Sequence, residues 1–277
     1  MRIIEKDEFV TKFRSLLIQI HYTLPEDFLY VIKETIKNEE NDIAKDVLLK
    51  ILENASYSSA TKLPLCQDTG FPIIFIKIGK NICFNFDLLS VINEVVHEVY
   101  EKEKLRKSCV VEPIKRVGLS HHSFVYIEHI EEEKCIVDIL IRGGGSENTT
   151  FFNMFLPTED FDKILNYIID TTIKILPFSC PPAILGIGIG GSSEQSMMLA
   201  KKALLRKINS RNKDNFYSEV EKYIKNRINM SGIGPLGLGG KTTLFDVFIE
   251  TAPTHIANLP VSGTLQCHSL RRGSIVL

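Results

Sequence analysis

Helical and strand-like hydrophobic patterns follow one another in no fixed order along this chain. Apolar residues recur at helical spacing near the N-terminus, at Phe9, Phe13, Leu16, Leu17 and Ile20. Residues 71–78 and 135–141 are instead short runs rich in Ile, Phe and Val, which is typical of strands. The mixture predicts an α+β (mixed α/β) fold with mixed sheets, without fixing the strand order.

The domain organisation follows from the same patterns. Residues 1–60 show helical spacing and are expected to form a helical N-terminal layer, packed on an α/β region at residues 61–277 that contains glycine-rich loops. At 277 residues the chain is long enough for one large domain, and we expect one continuous domain over 1–277. Beyond residue 60 the expected helices are 88–104, 161–176, 193–206 and 216–228, and the expected strands are 71–78, 124–130, 135–141 and 244–250.

The charge balance excludes some classes of partner. Lys and Arg number 33 against 34 Asp and Glu, with no dominant basic block, which argues against nucleic acid or an anionic membrane. The N-terminus lacks the apolar core of a signal peptide, so a cytoplasmic location is expected. In that compartment the six cysteines should stay reduced, and their roles are metal ligation, catalysis or packing.

Three of the cysteines lie where regular segments end. Cys66 follows Pro64 and precedes a strand, Cys180 precedes two prolines, and Cys267 lies shortly before Arg271. Rigid turns there could direct the side chains to a common point, and wide spacing excludes a zinc ribbon or ferredoxin motif. The other three cysteines lie in regular segments, and we interpret them as small buried apolar residues; they are Cys83, Cys109 and Cys135.

Two glycine-rich segments support a different hypothesis, a protein that binds phosphate or a nucleotide. Residues 186–191 read as a glycine turn before a helix, and their glycines fit the dinucleotide pattern GxGxxG. Residues 234–242 resemble a Walker loop, but Pro235 stands where that loop requires glycine. Either segment could instead bring backbone close to a metal cluster or a carboxylate.

Seven motifs occur together in one order along the chain. They are Leu65-Cys-Gln-Asp-Thr-Gly70, Lys104-Leu-Arg-Lys-Ser108, Arg142-Gly-Gly-Gly-Ser-Glu-Asn148, Cys180-Pro-Pro182, Gly186-Ile-Gly-Ile-Gly-Gly191, Gly232–Thr242, and Gln266-Cys267 with Arg271-Arg272. As a set they resemble the α subunit, or N-terminal catalytic domain, of class I iron–sulfur fumarate hydratases and the related L-tartrate dehydratases. The resemblance is most specific over residues 63–272.

The resemblance implies a cofactor and a set of site residues. A [4Fe-4S] cluster would be held by Cys66, Cys180 and Cys267, with one iron left open to act as a Lewis acid. Asp68 and His255 would act as catalytic groups. The residues implied to bind the dicarboxylate substrate are Gln67, Asp68, Arg106, Gly143, Gly144 and His255. Lys241 is interpreted as structural.

The resemblance also implies an activity and a partner. The expected reaction is the reversible hydration of fumarate to L-malate, a step of the tricarboxylic acid cycle, by a complex with a separate β subunit, expected as an α2β2 heterotetramer. The form of the 142–148 motif favours fumarate, with L-tartrate or mesaconate as alternatives. A non-catalytic assembly subunit is a third hypothesis.

One segment departs from the family pattern. Residues 117–123 replace a stretch rich in Asn, Thr, Gly and Asp, and they contain His121 and His122. These histidines could form a divergent specificity loop or lie in solvent. We favour solvent exposure for both.

Overall fold

The computed structural model describes residues 1–277 as two compact units, each assembled from separate parts of the chain. The first unit comprises Met1–Pro25, Ala55–Gly143 and Arg271–Leu277, and the second comprises Glu26–Asn54 and Gly144–Leu270. A single continuous domain with a helical N-terminal segment at 1–60 stays a prediction.

The helices and strands mix in the way the sequence predicts, so the α+β fold class is confirmed. The helices are α1 Lys6–Tyr22, α2 Glu26–Asn38, α3 Asp42–Thr61, α4 Leu88–Lys102, α5 Gly144–Glu147, α6 Phe161–Ile175, α7 Ser193–Ala203 and α8 Asn215–Asn229, with 3-10 turns at Leu176–Ser179 and Pro235–Gly237. The strands are β1 Arg2–Ile4, β2 Phe71–Gly79, β3 Ile82–Phe84, β4 Cys109–Glu112, β5 Val117–Ser120, β6 Phe124–Ile130, β7 Cys135–Arg142, β8 Phe151–Phe155, β9 Ala183–Gly190, β10 Leu244–Ala252, β11 Leu259–Gln266 and β12 Arg272–Val276.

The first unit is built on a four-stranded mixed sheet in the order β12-β7-β2-β6. β7 runs antiparallel to β2 and β12, and β6 runs parallel to β2. Alternate residues of β2, such as Ile74 and Ile76, pack in one core with the apolar faces of α1 and α4. Asp87 caps the N-terminus of α4, and its carboxylate accepts hydrogen bonds from two backbone N–H groups of the first turn. β1 pairs with β3, and β4 pairs with β5.

The second unit is built on a sheet in the order β10-β9-β11-β8. β9 is parallel to β10 and antiparallel to β11. Leu185 and Ile187 of β9 pack in a core with α6 and α8. The intervening positions are Gly186 and Gly188, where an added Cβ would lie 2.1 Å from Ala200 O and 1.9 Å from Ser196 O of α7. These glycines therefore let α7 pack directly on the backbone of the strand.

The prediction of a glycine turn at 186–191 is wrong for most of that segment. Residues up to Gly190 belong to the buried strand β9, and the chain turns at Gly190 and Gly191, which have positive φ angles of 88° and 75°. The error arose because glycine usually marks turns, whereas here it serves close packing of helix on strand. The phosphate-cradle hypothesis loses its main support, since the first two glycines of the pattern face a helix.

A buried histidine in the first unit makes stability depend on pH. His21 is 0% exposed, neither ring nitrogen has a hydrogen-bond partner, and its ring lies edge-on to Tyr100. Burial, and then the positive charge of Arg271, lower the pKa of His21 from 6.5 to about 3. Between these pH values the unfolded chain binds a proton that the folded chain does not bind. Stability is therefore lost as pH falls below 6.5.

We expect the free energy of unfolding to fall by up to about 1.4 kcal/mol per pH unit from this residue between pH 6 and pH 4. Denaturant titrations at several pH values measure the slope. His21→Phe should flatten it, and His129→Phe, at an exposed position of β6, should not. Equal slopes in the parent and His21→Phe would contradict this assignment.

Candidate active site

The loop that carries Cys66, Gln67 and Asp68 connects α3 to β2 and is held by hydrogen bonds within the first unit. The backbone N–H of Leu65 donates to the carbonyl of His21 at 3.0 Å. Oδ1 of Asp68 accepts from the N–H of Gly70 at 3.0 Å, which closes a tight turn. Cys66 and Asp68 are half-buried and Gln67 is exposed. The loop therefore has a fixed backbone while its polar side chains stay accessible.

A hydrogen bond joins this loop to the segment that follows α4. The buried side chain of Thr69 accepts from the backbone N–H of Arg106 at 2.8 Å, and the hydroxyl of Tyr100 in α4 donates to Gly70 O at 3.2 Å. The side chain of Arg106 is exposed. The backbone of Arg106 is thus fixed beside the cysteine loop, and its guanidinium is available to a ligand.

Gly143, at the end of β7, lies beside two charged side chains of the first unit. A Cβ added to Gly143 would lie 2.8 Å from Oδ2 of Asp68 and 3.6 Å from Nη2 of Arg271. The carboxylate and the guanidinium therefore approach the same point on the backbone. A larger residue at 143 would displace the carboxylate of Asp68 from this position.

Arg271 is the functional candidate to which the sequence analysis assigned no role. Its side chain is 1% exposed, and Nε and Nη1 have no hydrogen-bond partner. Leaving a buried donor without a hydrogen-bond partner costs about 1–3 kcal/mol. Such a cost is expected where the charge serves an anionic ligand. The sequence feature that could have indicated a role for Arg271 is its place in one motif with Cys267. The motif does not show that the side chain is buried.

Two of the three predicted cluster ligands come together in the second unit. Cys180 follows the 3-10 turn at Leu176–Ser179, is exposed, and has a left-handed backbone with φ of 52°. Its carbonyl accepts from the backbone N–H of His268 at 3.4 Å and lies 2.9 Å from His268 Nδ1. Because His268 follows Cys267, these contacts bring Cys180 and Cys267 into the same neighbourhood. Burial lowers the pKa of His268.

The short helix α5, which follows the glycine run after β7, contacts Cys267 through Ser146. The side chain of Ser146 in α5 accepts a hydrogen bond from the backbone N–H of Cys267 at 3.2 Å. Gly144 begins α5 and is exposed, and a Cβ at Gly145 would lie 3.3 Å from Phe178 O. The second unit thus gathers Cys180, Cys267 and the α5 turn, whereas Cys66 and Asp68 belong to the first unit.

His255 lies in the exposed loop between β10 and β11 of the second unit. Its Nδ1 accepts a hydrogen bond from the backbone N–H of Ala257 at 3.1 Å, so its ring is oriented by its own loop. The catalytic role of His255 stays a prediction.

The second glycine-rich loop, at residues 234–242, is contacted by acidic side chains of the same unit. The buried carboxylate of Glu39 accepts from the backbone N–H of Lys241 at 2.9 Å, and Lys241 Nζ pairs with Glu40 Oε1 at 2.5 Å. In a Walker loop this N–H and this lysine would face phosphate. The contacts therefore disfavour a nucleotide site and agree with a structural role for Lys241.

The remaining cysteines only partly follow the packing prediction. Cys135 is buried and Cys109 is half-buried, and burial raises the pKa of both thiols, that of Cys135 to about 11. Cys83 is exposed, so its predicted burial is wrong. It lies in β3 of a two-stranded sheet, where Ile82 and Phe84 face the core and the residue between them faces solvent.

The prediction of solvent exposure holds for His122 but is wrong for His121. The side chain of His121 is 1% exposed, because its ring packs against Tyr100 of α4 at a centroid distance of 5.1 Å. Adjacent residues leaving a strand point in opposite directions, so one histidine faces α4 and the other faces solvent.

Comparison with known proteins places the chain in a family. A family model described as fumarate hydratase (fumerase) matches residues 10–276. The chain belongs to the fumarate hydratase family. It is similar to a Methanocaldococcus jannaschii protein named "Putative L(+)-tartrate dehydratase subunit alpha", with 40% identity over 277 residues covering 96% of this chain and 95% of that one. It is also similar to the L(+)-tartrate dehydratase subunit alpha of Escherichia coli K12, with 26% identity over 275 residues covering 98% and 90%.

Membership of the fumarate hydratase family confirms the family that the sequence motifs predicted and the predicted reaction class, a hydro-lyase.

None of the helices in this chain combines the length and apolar composition that crossing a bilayer requires. The family match covers every predicted site residue, since Cys66 through Cys267 all fall within 10–276.

Proposed function

We propose that this chain is the α subunit of an iron–sulfur hydro-lyase that adds water to, or removes water from, a four-carbon dicarboxylate. The observation that carries the proposal is the buried guanidinium of Arg271, whose Nε and Nη1 have no hydrogen-bond partner, beside Asp68 and Gly143 in a chain of the fumarate hydratase family. A buried cation beside a carboxylate is suited to a small anionic substrate on which a proton must also move.

The cysteine set fits a [4Fe-4S] cluster by its donor chemistry. Cys66, Cys180 and Cys267 form no disulfide bond and have some exposure, and thiolates are the ligands that such clusters require. Cys180 and Cys267 are tied together through His268, and Cys66 lies on a loop with a fixed backbone. When bound by three thiolates, the cluster supplies one iron with an open position, a Lewis acid for a substrate hydroxyl and carboxylate.

The chain's own residues supply binding and proton transfer. Arg106 and Arg271 are proposed to bind substrate carboxylates, because a planar guanidinium binds a carboxylate through two hydrogen bonds. Asp68 is proposed to hold the proton exchanged at the carbon beside the hydroxyl-bearing carbon, its Oδ1 fixed by Gly70 and its Oδ2 beside Gly143. Gln67, Gly144 and His255 complete the proposed substrate contacts.

A separate β subunit is proposed as the partner. Both relatives described above carry names of α subunits, and this chain aligns with at least 90% of each. The α2β2 stoichiometry, the place in the tricarboxylic acid cycle and the cytoplasmic location stay predictions.

Two substrates have support from different observations. The names of the relatives favour L(+)-tartrate, and the name of the family favours fumarate, as does the glycine motif at 142–148. Both substrates have four carbons and two carboxylates, so the arginines and Asp68 suit either one. Because the similar proteins align along almost the whole chain, L(+)-tartrate is the first substrate to test and fumarate the second.

The decisive experiment is an anaerobic assay of the chain co-expressed with its β partner and reconstituted with iron and sulfide. We expect a brown complex that forms oxaloacetate from L(+)-tartrate or interconverts fumarate and L-malate, with mesaconate as a third substrate. A cluster without turnover of any of these would favour the assembly-subunit hypothesis. Nucleotide binding without a cluster would favour the rival based on the glycine loops.

A further inference from the structure

A second cluster of side chains that could bind a metal lies in the first unit and contains no cysteine. It consists of His97 and Glu101 of α4 and His121, which follows β5. One possible ligand atom from each residue lies within 4.8 Å of the corresponding atoms of the other two. We call these three residues the histidine cluster.

The fold accounts for the way the three residues meet. His97 and Glu101 are four residues apart and so lie on the same face of α4, one turn from each other. β5 ends at Ser120 and delivers His121 to that face, where its Nε2 lies 3.0 Å from Glu101 Oε1. The rings of His97 and His121 are 5.6 Å apart between centroids.

The burial of His121 fixes its ring beside Glu101. Its side chain is 1% exposed, and its Nε2 is the atom that faces Glu101 Oε1. The ring is also held in place by Tyr100, which reduces the entropy lost when a ligand binds.

The charges around Glu101 show that this point already attracts a cation. Lys107 Nζ lies 2.9 Å from Glu101 Oε1, the same oxygen that faces His121. Lys107 is partly exposed and on a flexible stem, so a divalent ion could displace it.

We propose that the histidine cluster binds a divalent transition metal of the zinc type. Two imidazoles and one carboxylate are a frequent donor set for Zn²⁺, with a fourth position left to water. The 3.0 Å contact between donors of His121 and Glu101 is close to the ~3.3 Å edge of a tetrahedral site with ~2.0 Å bonds. Bound metal would join α4 to the segment that follows the β4–β5 hairpin.

The test measures uptake of Zn²⁺ alone by the complete chain after its accessible thiols have been alkylated, which removes the cysteines as ligands. Calorimetry should show one Zn²⁺ per chain, and Co²⁺ should give the visible absorption of a tetrahedral nitrogen and oxygen site. His97→Ala and Glu101→Gln should weaken binding at least about tenfold. Both positions are exposed, so these variants should fold.

His122→Ala is the matched control, since this exposed neighbour of His121 lies outside the cluster and should leave Zn²⁺ binding unchanged. Zn²⁺ should also raise the melting temperature of the parent and of His122→Ala but not of His97→Ala. No uptake by the alkylated parent, or equal uptake by the parent and His97→Ala, would overturn the proposal. Neither readout uses the iron–sulfur cluster or substrate turnover, so the result is independent of the proposed function.

Discussion

Cys66→Ser should lose the iron–sulfur cluster and with it hydro-lyase activity, whereas Cys83→Ser should keep both. A serine hydroxyl is a far weaker ligand for iron than a thiolate, and three thiolates are the minimum in the proposed site. Removing a group that only supports a metal ligand typically lowers activity 10- to 100-fold, or by about 1.4–2.7 kcal/mol. We expect kcat to fall by more than this when a ligand itself is removed. Iron and sulfide analysis and the anaerobic assay measure both effects.

The matched control is informative because both cysteines belong to the first unit and both are free thiols. Cys83 is exposed in the strand β3, so its substitution tests whether loss of any accessible thiol damages the protein. Cys180→Ser and Cys267→Ser should behave like Cys66→Ser. If Cys66→Ser retained a full cluster and activity, the proposed ligand set would be wrong.

Local sequence patterns predicted those structural features that depend on residues close together in the sequence. The strand at 71–78 and the helix at 88–104 were predicted almost to their ends, because apolar spacing acts over a few residues. The loop at 65–70 was recognised by its cysteine and its acid. Its hydrogen bonds to His21 and Arg106 join residues far apart in the chain and could not be predicted.

Features that depend on long-range packing were missed. Gly186 and Gly188 looked like a turn because their role is set by α7, which lies against them only in the fold. The same holds for His121, whose burial depends on Tyr100 of α4. The strands β8, β11 and β12 were not predicted, because apolar and polar residues alternate only weakly along them. They are stabilised instead by pairing with strands that are distant in the sequence.

Arg271→Met should reduce kcat/KM by about a hundredfold or more, an effect of roughly 3 kcal/mol, without lowering the free energy of unfolding. In the folded chain Nε and Nη1 of Arg271 are buried and have no hydrogen-bond partner, so these two donors have lost water without gaining a bond in the protein. Methionine removes both unsatisfied donors and keeps a side chain of similar length, so stability should not fall. A loss of activity at undiminished stability would therefore place Arg271 in substrate binding.

The electrostatic link between Arg271 and His21 provides a second readout that does not require substrate. The positive charge of Arg271 contributes to the lowered pKa of His21, so this pKa should rise in Arg271→Met. In Arg271→Met the loss of stability caused by His21 on acidification should therefore end at a higher pH than in the parent. Denaturant titrations at several pH values measure this. Arg272→Met is the control, because the next residue of β12 points to the opposite side of the strand and should change neither kcat/KM nor this range. Unchanged kcat/KM in Arg271→Met, or a large fall in stability, would show that the buried guanidinium serves the fold and not the substrate.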